Sequence, residues 1–244
     1  MTGASVKLES VTKTFTNGTA LKNISFSLDA GSCTLIGGAN GSGKSVLMSI
    51  IAGLVRPDSG SVTVQNSDGS PAAAGLVFQE ADAQILGETP MEDVMFGPLN
   101  IGLSRAQARA AALSALQAAG LAEKADYPAR FLSGGEKRRL AVAGILALDR
   151  PLIIFDEPYA NLDYDGVRQV NALITSLKQD GRTVIILTHE LEKSLALCSR
   201  FIVLHKGDLV FDGLPEQGLR QQLEHWGIRN PLTAYHTAED LVWL

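Results

Sequence analysis

The sequence of 244 residues predicts an α/β protein with a mostly parallel sheet, an antiparallel β subdomain at its N-terminus and an inserted helical subdomain. Continuous apolar runs at residues 152–155 and 184–187 are typical of parallel strands buried on both faces, and a helical run follows each of them. Strand patterns disappear from about residue 89 to residue 132, where Ser104 is placed to cap an alanine-rich helix that stops at Gly120. This stretch predicts the helical insertion.

The other predicted strands and helices alternate along the rest of the chain. Short segments with alternating or continuous apolar residues predict strands at 6–8, 24–28, 33–36 and 75–78 and a hairpin at 201–211. Helical patterns predict helices at 45–54, 167–177 and 191–197 and a mainly helical tail from Pro215.

These elements predict one domain, residues 1–244, made of three parts. Residues 1–83 and 150–213 are expected to form the sheet-based core with its β subdomain. Residues 84–149 are expected to form the helical subdomain, and residues 214–244 a short helical tail.

Composition and charge argue against several classes of protein. Hydrophobic residues make up 45% of the chain and charged residues 19%, as in an ordinary folded protein. The net charge of −5 gives no electrostatic reason for strong nucleic-acid binding, so no nucleic-acid partner is expected. Since the chain has no run of about 18 apolar residues and no basic, apolar leader, we expect it to stay in the cytosol and to reach a membrane only through a partner.

The two cysteines, Cys33 and Cys198, lack the spacing of a metal site or of a disulfide framework. Cys33 lies in an apolar run, and Cys198 ends a predicted helical run. We expect both to be buried, reduced thiols.

Residues 38–45, Gly-Ala-Asn-Gly-Ser-Gly-Lys-Ser, fit a phosphate-binding loop between a predicted strand and a predicted helix. The glycines let backbone N–H groups turn toward one anion, and the start of the helix adds partial positive charge. Lys44 is expected to reach the β and γ phosphates of a nucleotide, and the Ser45 hydroxyl is expected to bind Mg²⁺. The alternative is a simple glycine-rich turn.

A pair of acids, Asp156 and Glu157, follows the apolar run 152–155, at the edge where ligands collect in open parallel sheets. We assign Asp156 to the metal and Glu157 to a general-base or water-positioning role. Such a pair taken alone is more often a solvated turn. Its position after a phosphate loop favours the catalytic interpretation.

A second element able to bind an anion lies at residues 132–136, Leu-Ser-Gly-Gly-Glu. Ser133 suits the N-cap of the helix that follows, and Gly134 and Gly135 leave the backbone donors of its first turn bare. A simple helix cap is the alternative for this motif taken alone. Together with the phosphate loop, it gives the chain two phosphate-binding elements separated by a helical insertion.

With these motifs in this order, the chain resembles the ATP-binding cassette (ABC) family from about residue 6 to residue 213. The resemblance implies a P-loop NTPase core, ATP and Mg²⁺ as ligands, and ATP hydrolysis that drives membrane transport. In that family one ATP lies between the phosphate loop of one subunit and the Leu-Ser-Gly-Gly signature of the opposite subunit. A second ABC ATPase subunit is therefore implied, in a homodimer or in a heterodimer with a paralogue.

The resemblance also implies roles for single residues. Gln79 matches the glutamine that reaches Mg²⁺ and the attacking water, and His189 matches the switch histidine that contacts the γ phosphate. Phe15 matches the aromatic residue under the adenine, with a buried core position as the alternative. The implied ATP contacts are Phe15, Gly38, Ala39, Asn40, Gly41, Ser42, Gly43, Lys44, Ser45 and Val46, and in trans Ser133, Gly134, Gly135 and Asp163. The implied catalytic residues are Gln79, Glu157 and His189, and the implied Mg²⁺ ligands are Ser45, Gln79 and Asp156.

Three of these positions depart from the common pattern of the family. Ala39 stands where proline is frequent, Val46 where threonine is usual, and Phe15 where tyrosine is commoner. None of these changes removes a phosphate or metal ligand, so catalysis is still expected.

The region around the start of the helical insertion resembles the energy-coupling factor (ECF) branch, whose ATPases drive uptake of vitamins or of cobalt and nickel ions in prokaryotes. Asp82, Gln84 and the run 92–98 match that branch, whereas Glu80 and Ala81 depart from it. The resemblance implies an integral membrane coupling subunit and a substrate-binding membrane subunit as partners. It also implies a peripheral location at the cytoplasmic face of the cell membrane.

Two questions stay open at this point. Met91, Met95, Phe96 and Leu99 either line a groove for helices of the membrane subunit or form the core of the helical subdomain. The chain as a whole is alternatively an ATPase of another ABC transporter class or a soluble ABC ATPase without a transport role.

Overall fold

The computed structural model describes residues 3–16 and 18–233, whose strands form two sheets. In chain order the strands are β1 (Ser5–Phe15), β2 (Gly18–Leu28), β3 (Cys33–Gly37), β4 (Ser59–Gln65), β5 (Ala74–Val77), β6 (Leu152–Asp156), β7 (Thr183–Leu187), β8 (Arg200–His205) and β9 (Asp208–Gly213). The α-helices are α1 (Lys44–Ile51), α2 (Pro90–Asn100), α3 (Arg105–Ala118), α4 (Gly134–Ala147), α5 (Tyr164–Gln179) and α6 (Pro215–Gly218).

The larger sheet has the strand order β5-β6-β7-β3-β8-β9. Its first five strands run parallel, and β9 pairs antiparallel with β8 at one edge. The strands β3, β6 and β7 are buried along their whole length, as their apolar runs predict. The predicted α/β class with a mostly parallel sheet is therefore confirmed. Because β6, β7 and β3 are neighbours, their carboxyl ends lie side by side.

Successive residues of these strands face opposite layers of the protein. Ile154 and Ile185 pack in an apolar cluster with α1 and the smaller sheet. Phe155 and Ile186 pack in a second cluster with α5. The apolar core thus covers both faces of the sheet and fixes the positions of the strand ends.

The smaller sheet is antiparallel, in the order β2-β1-β4, and contains the two strands predicted near the N-terminus. The strand β4 is absent from the sequence-based expectations. Its sequence is mainly polar, and none of its residues is fully buried, although Val62 and Val64 are half-buried. Residues 61–65 do alternate between polar residues and valine, but two apolar residues in a short polar segment make a weak strand pattern.

The helices α2, α3 and α4 pack around an apolar cluster of their own. As predicted, Ser104 caps α3 by accepting a hydrogen bond from the N–H of Gln107, and the chain turns at Gly120, where φ is 66°. The helix α4 also reaches the core, because Val142 and Ile145 belong to the cluster beneath α5. No helix in the described part of the chain is long and apolar enough to span a membrane.

The prediction of a helix over residues 191–197 is wrong. The segment forms two 3₁₀ turns instead, Leu191–Lys193 and Leu195–Leu197. Ser194 lies between them with φ of −146°, outside the helical region, so the α-helical hydrogen bonds cannot continue through it.

The prediction of a mainly helical tail from Pro215 is wrong for residues 215–233, the part that the structure describes. Up to residue 233 the tail holds the short helix α6 and a 3₁₀ turn, Leu223–Trp226. That turn ends at Gly227, whose left-handed conformation with φ of 69° stops a helix. The rest of the predicted tail, residues 234–244, lies outside the described residues.

Cys33 and Cys198 are buried and free, as predicted. Their sulfur atoms lie 3.4 Å apart between β3 and the segment before β8. Both side chains belong to the apolar cluster beneath α5, so they contribute to the core.

Phe155→Ala should destabilise the fold, because the ring is fully buried in the cluster beneath α5. We expect a loss of about 3–5 kcal/mol in the free energy of unfolding, measured by urea denaturation. Phe96→Ala is the matched control, since Phe96 is 52% exposed. Its loss should stay below about 1 kcal/mol, and equal losses in the two variants would contradict the assignment of Phe155 to the core.

Candidate functional site

The predicted phosphate-binding loop joins β3 to α1 and passes close to two other strands. Gly43 precedes α1 with φ of 108°, and a Cβ added to it would lie 2.5 Å from the carbonyl oxygen of Ala20 on β2. Gly38 has φ of 153°, and its added Cβ would lie 2.4 Å from the carbonyl oxygen of Leu204 on β8. Both positions require glycine because a side chain would collide with the backbone of a neighbouring strand.

Lys44 is the first residue of α1 and is only 5% exposed. Its ammonium group donates hydrogen bonds to the carbonyl oxygens of Gly38 (2.6 Å) and Ala39 (3.4 Å). The same nitrogen lies 3.5 Å from a carboxylate oxygen of Glu157. Lys44 therefore connects the loop to the end of β6.

Glu157 directly follows β6 and has a left-handed backbone with φ of 45°. Its N–H donates to the carbonyl oxygen of Leu187 at the end of β7 (2.8 Å). Its carboxylate Oε1 lies 3.0 Å from Nδ1 of His189 and 3.5 Å from Nζ of Lys44. Three residues taken from three separate motifs thus meet at one largely buried carboxylate.

Asp156 is the last residue of β6 and is buried, and its Oδ1 has no hydrogen-bond partner among the described residues. Burial raises the pKa of Asp156 above its usual value, and a hydrogen bond with Ser45 opposes this shift. A carboxylate and a hydroxyl are the hard oxygen ligands that Mg²⁺ prefers, so the residues present fit this ion. The described residues contain no group of three His, Cys, Asp or Glu side chains able to hold a metal.

A cleft of ≈ 210 Å³ lies beside these residues. It is lined by Ala20, Asn40, Gly41, Ser42, Gly43, Lys44, Ser45, Val46, Gln79 and Glu157. The exposed Gln79, which follows β5, is thereby brought to the loop that starts 41 residues earlier in the chain, at Gly38. Nothing in the sequence marks Ala20 as a site residue, because a small apolar side chain carries no chemical signal.

Phe15 is the last residue of β1 and is 46% exposed. The ammonium of Lys13 lies 5.4 Å from the centroid of its ring. The alternative that Phe15 is packed in the core is therefore wrong. The ring does not line the cleft, but it is open to a ligand.

The signature residues Ser133, Gly134 and Gly135 lie at the start of α4 and do not line the described cleft. Ser133 accepts a hydrogen bond from the N–H of Glu136, whose carboxylate in turn accepts one from the N–H of Ser133 (2.9 Å). A Cβ added at Gly134 or Gly135 would meet no atom within 4 Å. The first turn of α4 is thus a well-capped helix start that faces open space.

Asp163 is exposed and also lies outside the residues that line the cleft. Its carboxylate caps α5 by accepting a hydrogen bond from the N–H of Gly166 (2.8 Å). Neither Asp163 nor the signature therefore lines the cleft beside the phosphate loop of their own chain.

A family model described as ABC transporter matches residues 21–160, more than half of the chain. The chain belongs to the ABC transporter family. Its phosphate loop, its signature and its acidic pair follow one another in the order that the resemblance describes.

The chain is similar to two curated relatives and to one solved structure of the family. EcfA2 of Methanospirillum hungatei, an energy-coupling factor transporter ATP-binding protein, is 35% identical over 254 residues, which cover 91% of this chain and 63% of the relative. The cobalt import ATP-binding protein CbiO of Rhodobacter capsulatus is 37% identical over 236 residues, which cover 92% and 84%. The dimeric ATP-binding cassette MJ0796, in a post-hydrolysis state bound to ADP and Pi, has a TM-score of 0.76 at 31% identity and covers 86% of this chain and 98% of its own. The chain therefore spans less than two thirds of the first relative.

In this member of the family, polar side chains hold the segment that follows β5, a role that sequence reasoning missed. The side-chain oxygen of Gln84 accepts the N–H of Phe78 (3.2 Å), and its amide nitrogen donates to the carbonyl oxygen of Leu76 (3.0 Å). Asp82 pairs with Lys137 on α4 at 2.5 Å. The ECF-like residues Asp82 and Gln84 thus shape the segment that carries the site glutamine.

Asp93, in the ECF-like run at the start of α2, holds the next part of the same segment. Its carboxylate accepts hydrogen bonds from the N–H groups of Leu86 (2.7 Å) and Gly87 (3.0 Å). Burial raises the pKa of Asp93, and these two hydrogen bonds oppose the shift. The match to the ECF branch therefore includes residues that fix the backbone locally.

Of the four apolar residues expected either in a groove or in the core of the helical subdomain, two are buried and two are exposed. Met91 and Met95 are buried in the cluster of α2, α3 and α4, so they are core. Phe96 is 52% exposed and Leu99 is 44% exposed, so they are open to a partner. The groove interpretation therefore survives for Phe96 and Leu99 alone.

Gly43→Ala should destabilise the chain and weaken ATP binding, because the added Cβ would strike the carbonyl oxygen of Ala20 and so displace the loop. The left-handed backbone alone costs about 1–3 kcal/mol for a residue with a side chain. Gly41→Ala is the matched control, since Gly41 has φ of 79° but an added Cβ would meet no atom within 4 Å. Thermal unfolding and titration with a fluorescent ATP analogue measure both variants, and equal defects would show that the contact with Ala20 is unimportant.

Proposed function

We propose that the chain binds and hydrolyses ATP to power an ECF-type importer of cobalt or nickel ions or of a vitamin. The observation that carries the proposal is the convergence of Lys44, Glu157 and His189 beside the paired Ser45 and Asp156. The names of the two relatives, an ECF transporter ATP-binding protein and a cobalt import ATP-binding protein, support the type of transporter.

In this proposal the loop and the start of α1 bind the triphosphate of ATP. The backbone N–H groups of the loop and the ammonium of Lys44 balance its negative charge. Ser45, Asp156 and Gln79 would hold Mg²⁺, which when bound neutralises charge that develops on the phosphoryl oxygens. The exposed ring of Phe15 is available to stack on the adenine, a contact worth about 1–3 kcal/mol per base in other complexes.

Glu157 is proposed as the general base. Its carboxylate accepts a proton from the water that attacks the γ phosphate. His189, 3.0 Å from that carboxylate, holds it in place and is available to the γ phosphate. Lys44, 3.5 Å away, offsets part of the cost of burying the charge of Glu157.

The working unit is proposed to be a dimer of two ABC ATPase subunits, either two copies of this chain or this chain with a paralogue. Ser133, Gly134 and Asp163 lie exposed outside the cleft of their own chain, so they are available to ATP bound by a partner. The dimeric state of MJ0796 with ADP and Pi supports this arrangement. Since such an ATP contacts both subunits, its binding favours a closed dimer and its hydrolysis favours opening.

The proposed membrane partners are an integral coupling subunit and a substrate-binding subunit at the cytoplasmic face of a prokaryotic cell membrane. The exposed side chains of Phe78, Phe96 and Leu99, on the segment after β5 and on α2, offer an apolar contact surface for the coupling subunit. Opening of the dimer would move residues 84–149, the proposed helical subdomain, and with them the bound membrane helices.

Glu157→Gln should lower the rate of ATP hydrolysis about 10²- to 10⁴-fold, because the amide cannot accept the proton of the attacking water. ATP binding should persist, since the amide preserves the shape of the side chain. Phosphate release and binding of a fluorescent ATP analogue measure the two effects. Glu123→Gln removes the same charge at an exposed position and is the control. Hydrolysis that is unaffected by Glu157→Gln would refute the catalytic assignment.

Phe96→Asp should abolish copurification of membrane subunits, because a charge would enter the proposed apolar contact surface. Leu113→Asp, at a 43% exposed position on α3, is the control and should leave copurification intact. Tagged chains are recovered from the native membrane, and the subunits bound to them are identified by mass spectrometry. Subunits of another transporter class, or no membrane subunit at all, would show that the ECF function is wrong.

A further inference from the structure

Arg138 is a buried cation for which the proposed chemistry has no role. It lies in the second turn of α4, five residues after Ser133, and is 7% exposed. A buried guanidinium is costly unless its donors are used, so its partners indicate what keeps it there.

The partners of Arg138 are backbone carbonyl oxygens at two separate parts of the site. Its Nη1 donates to the carbonyl oxygen of Pro158 (2.5 Å) and lies 3.5 Å from that of Glu157. Its Nη2 donates to the carbonyl oxygen of Gln79 (2.8 Å). One side chain of α4 therefore joins the residues after β6 to the residue after β5.

The carbonyl oxygen of Glu157, which lies 3.5 Å from Nη1 of Arg138, belongs to a residue with a strained backbone. Glu157 has φ of 45°, and this conformation costs a residue other than glycine about 1–3 kcal/mol. Such a conformation persists only when surrounding contacts stabilise it. The N–H of Glu157 is held by the carbonyl oxygen of Leu187, and its carbonyl oxygen lies near Arg138. The conformation of the proposed general base thus depends on contacts from both β7 and α4.

The neighbouring residue on α4 holds the same segment further along. Lys137 pairs with Asp82, three residues after Gln79. Asp82 is 75% exposed in its side chain, so this pair contributes little by itself. The main tie between α4 and the site is consequently the buried Arg138.

We propose that Arg138 is a positioning residue that ties the signature helix α4 to the backbone of Gln79 and of residues 157–158, so that hydrolysis depends on where α4 lies. This inference rests on the proposed function for its effect on catalysis. Arg138 does not touch the nucleotide in this proposal. Its removal should therefore lower kcat without a matching change in KM for ATP.

The fork of the guanidinium matters as much as its charge. Two different nitrogen atoms reach the two parts of the site, whereas the ammonium of a lysine is a single point that cannot span both. Arg138→Lys keeps the charge and loses the bridge, and Arg138→Gln loses both. The matched control is Arg109→Gln, which removes an exposed arginine from α3.

The purified chain of 244 residues and the three variants are compared in two measurements. In steady-state ATP hydrolysis, both Arg138 variants should show kcat lowered about tenfold or more, as misplacement of a reacting group produces. Their KM should stay within about twofold of the wild type, and Arg109→Gln should match the wild type in both constants. In hydrogen exchange without nucleotide, both Arg138 variants should exchange faster than the wild type at residues 78–84 and 157–161. Their exchange in α4 should be unchanged.

Two results would overturn the proposal. The first is an Arg138→Lys variant with the kcat and the exchange of the wild type, since a charge alone would then suffice. The second is faster exchange throughout α2, α3 and α4 with KM rising as kcat falls, which would indicate a general loss of packing. If the wild type itself does not hydrolyse ATP, the proposed function fails, and the exchange measurement still decides whether Arg138 holds the two segments. If Arg138→Gln does not fold, Arg138→Lys supplies both measurements.

Discussion

The candidate site depends on the burial of β6, β7 and β3 on both of their faces. Apolar layers cover these neighbouring strands, and the charged side chains of the site lie where the strands end. Asp156 ends β6 and Glu157 follows it, His189 follows β7, and the phosphate loop follows β3. Because the three strands run parallel, these ends meet at one edge of the sheet, and side chains distant in the sequence come within hydrogen-bonding distance.

Burial of charge at this edge has a cost that the structure only partly offsets. The carboxylate of Glu157 has Lys44 and His189 as neighbours, but Oδ1 of Asp156 has no hydrogen-bond partner among the described residues. Removing one partner of a buried ion pair typically costs about 3–5 kcal/mol, whereas a well-packed apolar replacement is often neutral. Stability alone therefore does not account for these acids, whereas the proposed binding of phosphate and Mg²⁺ does.

The parts of the fold and site that the sequence predicts are those with a local pattern. Apolar runs mark β6 and β7, and the glycine-rich loop marks Lys44. The strand β4 has only a weak pattern, because it contains two apolar residues, Val62 and Val64, and neither is fully buried. Arg138 was missed for a different reason: it bonds to backbone carbonyl groups, which every residue has, and one of them is 59 residues away in the chain. Only the packing of α4 against the core brings these groups together.

The position of α4 connects the two halves of the proposed reaction. Its N-cap, Ser133, is exposed and does not line the cleft of its own chain, so it is available to the partner's nucleotide in the proposed dimer. Its second turn carries Arg138, which contacts the backbone of its own site. At a rise of about 1.5 Å per residue, the two residues lie about 7.5 Å apart along one stiff helix. A displacement of that helix by ATP at the partner's site would therefore reach Glu157 and Gln79 directly, and each site of the dimer would respond to the occupancy of the other.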